Sequence, residues 1–279
     1  MAEDLGLKLA DKEAQYLKGG REPVAGSILI STSKYLNNPL FRDLFAQMGL
    51  KRDGHDLPGA YLVPEINRAF GEVTDTQALF GGLADARRRL PDFAAWLEER
   101  FVSDLKPEHV KDCAPGTLGE RVYRFMVESG MDIDFMFLGE PRNDYEYLNK
   151  RRIQVHDIEH MVTGLDPSPV GEMALIVANT VANINYFGAE FAAELNRHGA
   201  FLVTTGLMRA SCHYPAVVPA YLEGIVRGQA LGSKQKRPLF MMKWEDYFDW
   251  TIEDIREEFN FHDGPPEGHW TWTFEASKG

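Results

Sequence analysis

The chain has 279 residues, 44% of them hydrophobic, enough for a sizeable core in one large domain or two small ones. Its 42 acidic against 30 basic residues leave a formal net charge of −12, which disfavours nucleic-acid binding and non-specific adhesion to anionic lipid. Two cysteines, Cys113 and Cys212, give no disulfide framework, and no apolar run approaches the roughly 20 residues that a membrane span requires.

The start, Met1-Ala2-Glu3-Asp4, is acidic and resembles neither a secretory signal nor an Arg-rich presequence, so a cytoplasmic protein, or a mature form without its presequence, is expected. Residues 1–25 form a polar lead-in. Ala25 to Met48 is apolar at helical spacing, broken near Asn37-Asn38-Pro39, and Lys51 to Pro58 is a turn-rich gap. Asp75 starts a helix with Leu79, Phe80 and Leu83, and Pro91-Asp92 starts one with Phe93, Trp96 and Leu97. Arg87-Arg88-Arg89 reads as a solvated helix end. Thr117 and Glu120 make a capping box for a helix that Gly130 stops, and Asp132 to Asp144 is turn-like.

Tyr145 to His160 then reads as one helix, entered through Lys150-Arg151-Arg152. It ends in His156-Asp157-Ile158-Glu159-His160, with Glu172 twelve residues further on. At 3.6 residues per turn the two histidines share a helix face, and Asp157 flanks it by about 100°. Gly164 stops the helix, and Asp166-Pro167-Ser168-Pro169 supplies a turn and a new helix start, so Glu172 can return to the histidines. His156, His160, Glu172 and Asp157 are therefore a candidate ligand set for one divalent metal. The zincin pattern fits poorly because Asp157 stands where its Glu would be.

A helix from Val170 to about Arg197 follows, with Glu172, Asn179, Asn183 and Glu190 recurring on one face. Asn179 and Asn183 read either as a solvent stripe or as a polar seam running from the metal. His213 is a lone histidine, expected to be packed or exposed. Pro219 to Gly232 is helical, Lys234 to Pro238 is a basic loop, and the aromatic stretch from Pro238 to Trp250 reads as core. Thr251 caps a last helix, and residues 263–279, with His269-Trp270-Thr271-Trp272, form a tail whose packing stays open. The expected fold is all-α: one compact, bundle-like domain over residues 26–262, with a metal site between two helices.

The string H-D-x-x-H-x(11)-E resembles the signature of the Coq4 family of coenzyme Q (ubiquinone) biosynthesis proteins. Further likenesses are Pro115-Gly116-Thr117-Leu118-Gly119 with Tyr123-Arg124-Phe125-Met126, Arg151 before the motif, Ala220 to Gly224 with Arg227-Gly228, Trp244-Glu245, and Ile252 to Arg256. They span about residues 110–260, and Glu159 departs from the pattern. The resemblance implies a helical protein with a metal at His156, Asp157, His160 and Glu172, and with Arg151 meeting a ring carboxylate. It implies oxidative decarboxylation of a prenylated hydroxybenzoate, the prenyl tail lying in an apolar cavity. It implies peripheral contact with the inner membrane and with other biosynthetic enzymes, and a homodimer is left open. The metal is zinc, iron, cobalt or manganese; Asp157 either ligates it, orients a histidine or acts as general base. Two alternatives stand beside this reading: another hydrophobic aromatic or polyketide substrate, or a non-catalytic lipid-binding scaffold.

Overall fold

A computed structural model describes residues 32–52, 62–130 and 139–277. The lead-in 1–25, the start of the Ala25–Met48 run, most of the Lys51–Pro58 gap and residues 132–138 of the turn-like stretch lie outside the described residues. Among the described residues the fold is all-α, with 14 helices and no strand.

The chain opens with α1 (Lys34–Asn37) and α2 (Pro39–Leu50), divided at Asn38, whose side chain caps α2. Next come α3 (Val63–Val73), α4 (Thr76–Arg89), capped by Asp75, and α5 (Pro91–Glu99), with Pro91 at its first position. After α6 (Pro107–Val110), Thr117 caps α7 (Leu118–Ser129), and Gly130 ends it in the left-handed region. Only half of the expected capping box forms: Thr117 Oγ1 accepts from the Glu120 N–H, but the Thr117 N–H donates to the Ala114 carbonyl instead.

The segment expected as one helix to His160 is two, α8 (Asp144–Gln154) and α9 (His156–Thr163), divided at Val155 (φ −99°, ψ −5°). Neither Pro nor Gly makes this break. Gln154 exchanges two hydrogen bonds with the Ser103 backbone and pins the end of α8, while the histidines beyond Val155 turn to Glu172. The next expected helix also divides, at Gly188 (φ 88°), into α10 (Pro169–Phe187) and α11 (Ala189–His213). Glu190 thus falls on the exposed first turn of α11 and leaves the stripe of Glu172, and the helix expected to end at about Arg197 runs on to His213. Then come α12 (Val218–Lys234), two 3-10 turns at Leu239–Met241 and Trp244–Tyr247, α13 (Ile252–Phe259), capped by Thr251, and α14 (Trp272–Ala276).

The buried helix α10 is the spine. On one side α12 comes to backbone contact, because Gly224, Gly228 and Gly232 recur every four residues along one face. A Cβ on Gly228 would lie 2.2 Å from the Ala174 carbonyl oxygen, and one on Gly232 would lie 2.3 Å from that of Ala178. On the other side α11 runs back along α10, with Gly199 against Ile176. The main core gathers Phe93, Trp96, Phe187, Phe240 and Trp244, so the aromatic stretch is core as expected. A smaller cluster of Leu44, Met48, Ile66, Phe70 and Phe201 joins α2 and α3 to α11. His213 is packed, its Nε2 against the Leu50 carbonyl. The tail folds back onto the domain. Glu223 of α12 accepts from Trp270 Nε1 at 3.3 Å and lies 3.1 Å from His269 Nε2, and Gly264 rests on the Thr163 carbonyl.

Candidate metal centre

The motif helix α9 stops at Gly164 (φ 77°), and Ser168 then caps α10, its Oγ accepting from the Gly171 N–H at 3.1 Å. This reversal brings Glu172, in the first turn of α10, against α9. Its Oε2 lies 3.2 Å from His156 Nε2 and 3.0 Å from His160 Nε2. The two imidazoles stand edge to face with centroids 4.8 Å apart. His156, His160 and Glu172 each offer a ligand atom within 4.8 Å of the others, a set that could hold one metal ion.

The histidines differ in setting. His160 is 5% exposed and His156 39%. Nδ1 of His160 faces the Leu165 carbonyl, and only a protonated Nδ1 can donate there. In neutral His160 the lone pair therefore sits on Nε2, the atom turned to Glu172, which is the tautomer a metal requires. Burial alone would lower the His156 pKa, but the Glu172 carboxylate outweighs it and holds the group up at about 9. Burial likewise pushes Glu172 up, and its two histidine partners overcome that and hold it far below the usual carboxylate range. Without metal the cluster is thus an ion pair. A cation binding there would take the place of the proton that His156 holds toward Glu172.

Asp157 stands apart from the three. It is half-buried and has no hydrogen-bond partner among the described residues. Burial raises its pKa, the two histidines lower it and Glu172 raises it, so it borders the cluster electrostatically without joining it. Arg151 is not brought to the cluster. Its guanidinium is 1% exposed, donates to the Met242 carbonyl at 2.9 Å and to Gln154 at 3.3 Å, lies 3.5 Å from Glu245, and stacks over Phe101. Its place on the core side of α8, before the break at Val155, commits it to that shell.

The polar residues beyond Glu172 turn inward. Asn179 Nδ2 donates to Glu159 Oε2 at 2.7 Å, and Asn183 Nδ2 donates to Asn196 Oδ1 at 2.8 Å. Asn179 Oδ1 and Asn183 Oδ1 are buried with no described partner. Glu159, a departure from the motif's pattern in the sequence, is the group that links α9 to this layer. Burial raises its pKa to about 7, against the lowering influence of Asn179 and the histidines. Its spacing was the available signal: seven residues after Arg152 and three after His156, it shares their helix side. Surface clefts among the described residues include one of about 520 Å³ lined by Asp249, Trp250, Asp254, Glu257 and Glu258, and one of about 240 Å³ among Tyr35, Phe41, Phe45, Phe70 and Phe201. Neither is lined by the metal cluster.

Among the described residues no helix is long and apolar enough to cross a membrane. In a search of solved structures the fold is similar to the crystal structure of a Nostoc punctiforme PCC 73102 protein ascribed to ubiquinone biosynthesis. That likeness has a TM-score of 0.56 and 22% identity, covers 71% of this chain and 88% of that one, and speaks for the fold alone. The chain is 27% identical over 165 residues to the ubiquinone biosynthesis protein COQ4, mitochondrial, of Lachancea thermotolerans. The match covers 58% of this chain and 46% of that relative, which is named for a compartment other than the cytoplasm expected from the sequence. The family model for the coenzyme Q (ubiquinone) biosynthesis protein Coq4 matches residues 68–265, a span that holds α9, α10 and the whole His156–His160–Glu172 cluster. The chain belongs to the Coq4 family of ubiquinone biosynthesis proteins.

Proposed function

We propose that this chain is a metal-dependent enzyme of ubiquinone biosynthesis that removes the carboxylate of a prenylated hydroxybenzoate-type ring and leaves a hydroxyl in its place. The observation that carries the reading is the preorganised donor set of His156, His160 and Glu172, with His160 held in the ligating tautomer by the Leu165 carbonyl. The ring loses two electrons overall. A bound redox-active ion such as iron, cobalt or manganese would supply contact with an oxidant such as dioxygen; zinc would not. The side chains do the rest. Glu172 and the two histidines would hold the ion on the half-exposed side of α9, where His156 and Glu172 reach solvent. Asp157, beside the cluster and without a partner, is placed to take a proton from the ring hydroxyl or from water. Peripheral contact with the inner membrane, and association with other pathway enzymes or with a second copy, belong to this same reading.

The test begins with metal analysis of protein purified without a metal-affinity tag, beside the H156A/H160A variant. About one equivalent of iron, cobalt or manganese in the parent, absent from a folded variant, together with turnover of a prenylated hydroxybenzoate, is the expected result. No metal in the parent even after reconstitution would sink the reading. One observation favours a non-catalytic scaffold: Glu172 already bridges both histidines, so the cluster staples α9 to α10 by itself. The E172Q variant separates the two. A scaffold that still folds keeps its biological role, whereas the enzyme loses metal and turnover.

A further inference from the structure

The way α9 ends leaves one buried donor to be satisfied. Gly164, left-handed at φ 77°, donates its N–H to the His160 carbonyl at 3.1 Å, which is the single-bond form of a left-handed helix ending. In the two-bond form the N–H of the residue after the glycine would take that carbonyl. Here it is already taken, so the N–H of Leu165, a fully buried residue, needs another acceptor. The remaining carbonyls of the last turn are closed from α13: Arg256 donates from Nε to Val162 at 3.0 Å and from Nη2 to Met161 at 3.4 Å.

Thr163 supplies that acceptor. Its hydroxyl, 0% exposed, donates to the Glu159 carbonyl at 2.6 Å and accepts from the Leu165 N–H at 3.3 Å. A hydroxyl can donate up the helix and accept from the loop at once, whereas the methyl of a valine of the same shape can do neither. Leu165 is therefore gripped from both sides: Thr163 takes its N–H, and His160 Nδ1 donates to its carbonyl. Further on, Asp166 Oδ1 accepts from the Ser168 N–H at 3.1 Å, and Ser168 caps the helix that carries Glu172. Without the hydroxyl, the Leu165 N–H is a buried donor with no partner. Turning it toward a new acceptor would swing the Leu165 carbonyl off His160.

We propose that Thr163 is a positioning residue for the candidate metal centre, acting through Leu165 to hold His160 with Nδ1 on the carbonyl and Nε2 toward Glu172. The ion it serves rests on the functional reading above; the hold on His160 belongs to the metal-free chain as well.

The test compares the full chain with T163V and T163S by two measurements: the imidazole N–H resonances of the metal-free protein, and zinc affinity by competition with a chelator. A proton held in a buried hydrogen bond exchanges slowly enough to be seen, so wild type should show the His160 Nδ1–H. T163V should lose that resonance and bind zinc about tenfold more weakly, the lower end of what an outer partner of a ligand contributes. T163S, which restores the hydroxyl, should recover both. G232A, whose added methyl presses on the Ala178 carbonyl, is the control for lost stability alone and should keep both. A wild type without the resonance overturns the proposal, as does a T163V that keeps it, a T163S that recovers neither, or a G232A that weakens zinc as much. Should T163V not fold, T163A takes its place under the same criteria. A wild type that binds no metal would overturn the metal-enzyme reading, and the resonance alone would then decide for or against Thr163. Weaker zinc binding in T163V with the resonance intact would overturn this inference and leave that reading standing.

Discussion

At the scale of single residues, the proposed function divides holding a metal from moving a proton. Glu172 and the two histidines converge, whereas Asp157 sits at the rim with a raised pKa and no partner. D157N should therefore keep its metal equivalent while the turnover number falls about 100-fold, the usual size of a lost general base; loss of the metal in D157N would instead make Asp157 a ligand. His198 supplies a second residue-scale prediction. Its ring stacks on Phe70 at 3.9 Å, and burial, aided by Arg152 and Arg197, lowers its pKa from 6.5 to about 4. The folded protein thus holds His198 neutral where the unfolded chain binds a proton. Stability is unaffected above the unfolded value near 6.5, falls as pH drops below it, and levels off under about 4. Allowing for its partial exposure, the loss is ~2 kcal/mol. Denaturant titrations at pH 7 and pH 4.5 should show it, and H198Q should flatten the difference.

At the scale of elements, packing against α10 sets what mutation can do. Gly228 of α12 leaves no room for a methyl group, since its Cβ would press on the rigid Ala174 carbonyl. G228A should cost ~3 kcal/mol and lower the melting temperature, while G81A, on the open side of α4, should change little. The helix ends were largely legible in the sequence, because Asp75, Pro91, Thr117, Gly130, Gly164, Ser168 and Thr251 carry their cap chemistry locally. Two divisions were not. Val155 has no breaker chemistry, and its bend comes from Gln154 held by Ser103, a contact between residues 51 apart. Gly188 has helical pattern on both sides and reads as helix until its backbone conformation is seen. The metal cluster was legible because i, i+4 spacing and a turn of fixed length define it. For Glu159 the spacing gives only its helix side; its burial is decided by the packing of α10.

For the whole molecule, the tail makes the motif helix depend on the far end of the chain. Arg256 of α13 donates to the Val162 carbonyl at 3.0 Å, Gly264 lies on the Thr163 carbonyl, and Glu223 anchors His269 and Trp270. The expected boundary at 262/263 therefore falls within packed structure. Deleting residues 261–279 should weaken metal retention at least tenfold and lower the melting temperature by several degrees, as read by metal content after dialysis and by thermal unfolding. Full retention in the truncated protein would show that α9 is held by its neighbours alone.

The unequal exposure of the two histidines also gives the centre a direction in time. An ion here would rest on a shielded His160 and be approached from the His156 side, so ligand exchange would begin with release of His156 and proceed in steps. A small chelator should therefore strip the metal at a rate that rises with chelator concentration, faster than global unfolding allows. H156A should shorten the half-life of the bound ion far more than it changes the fold.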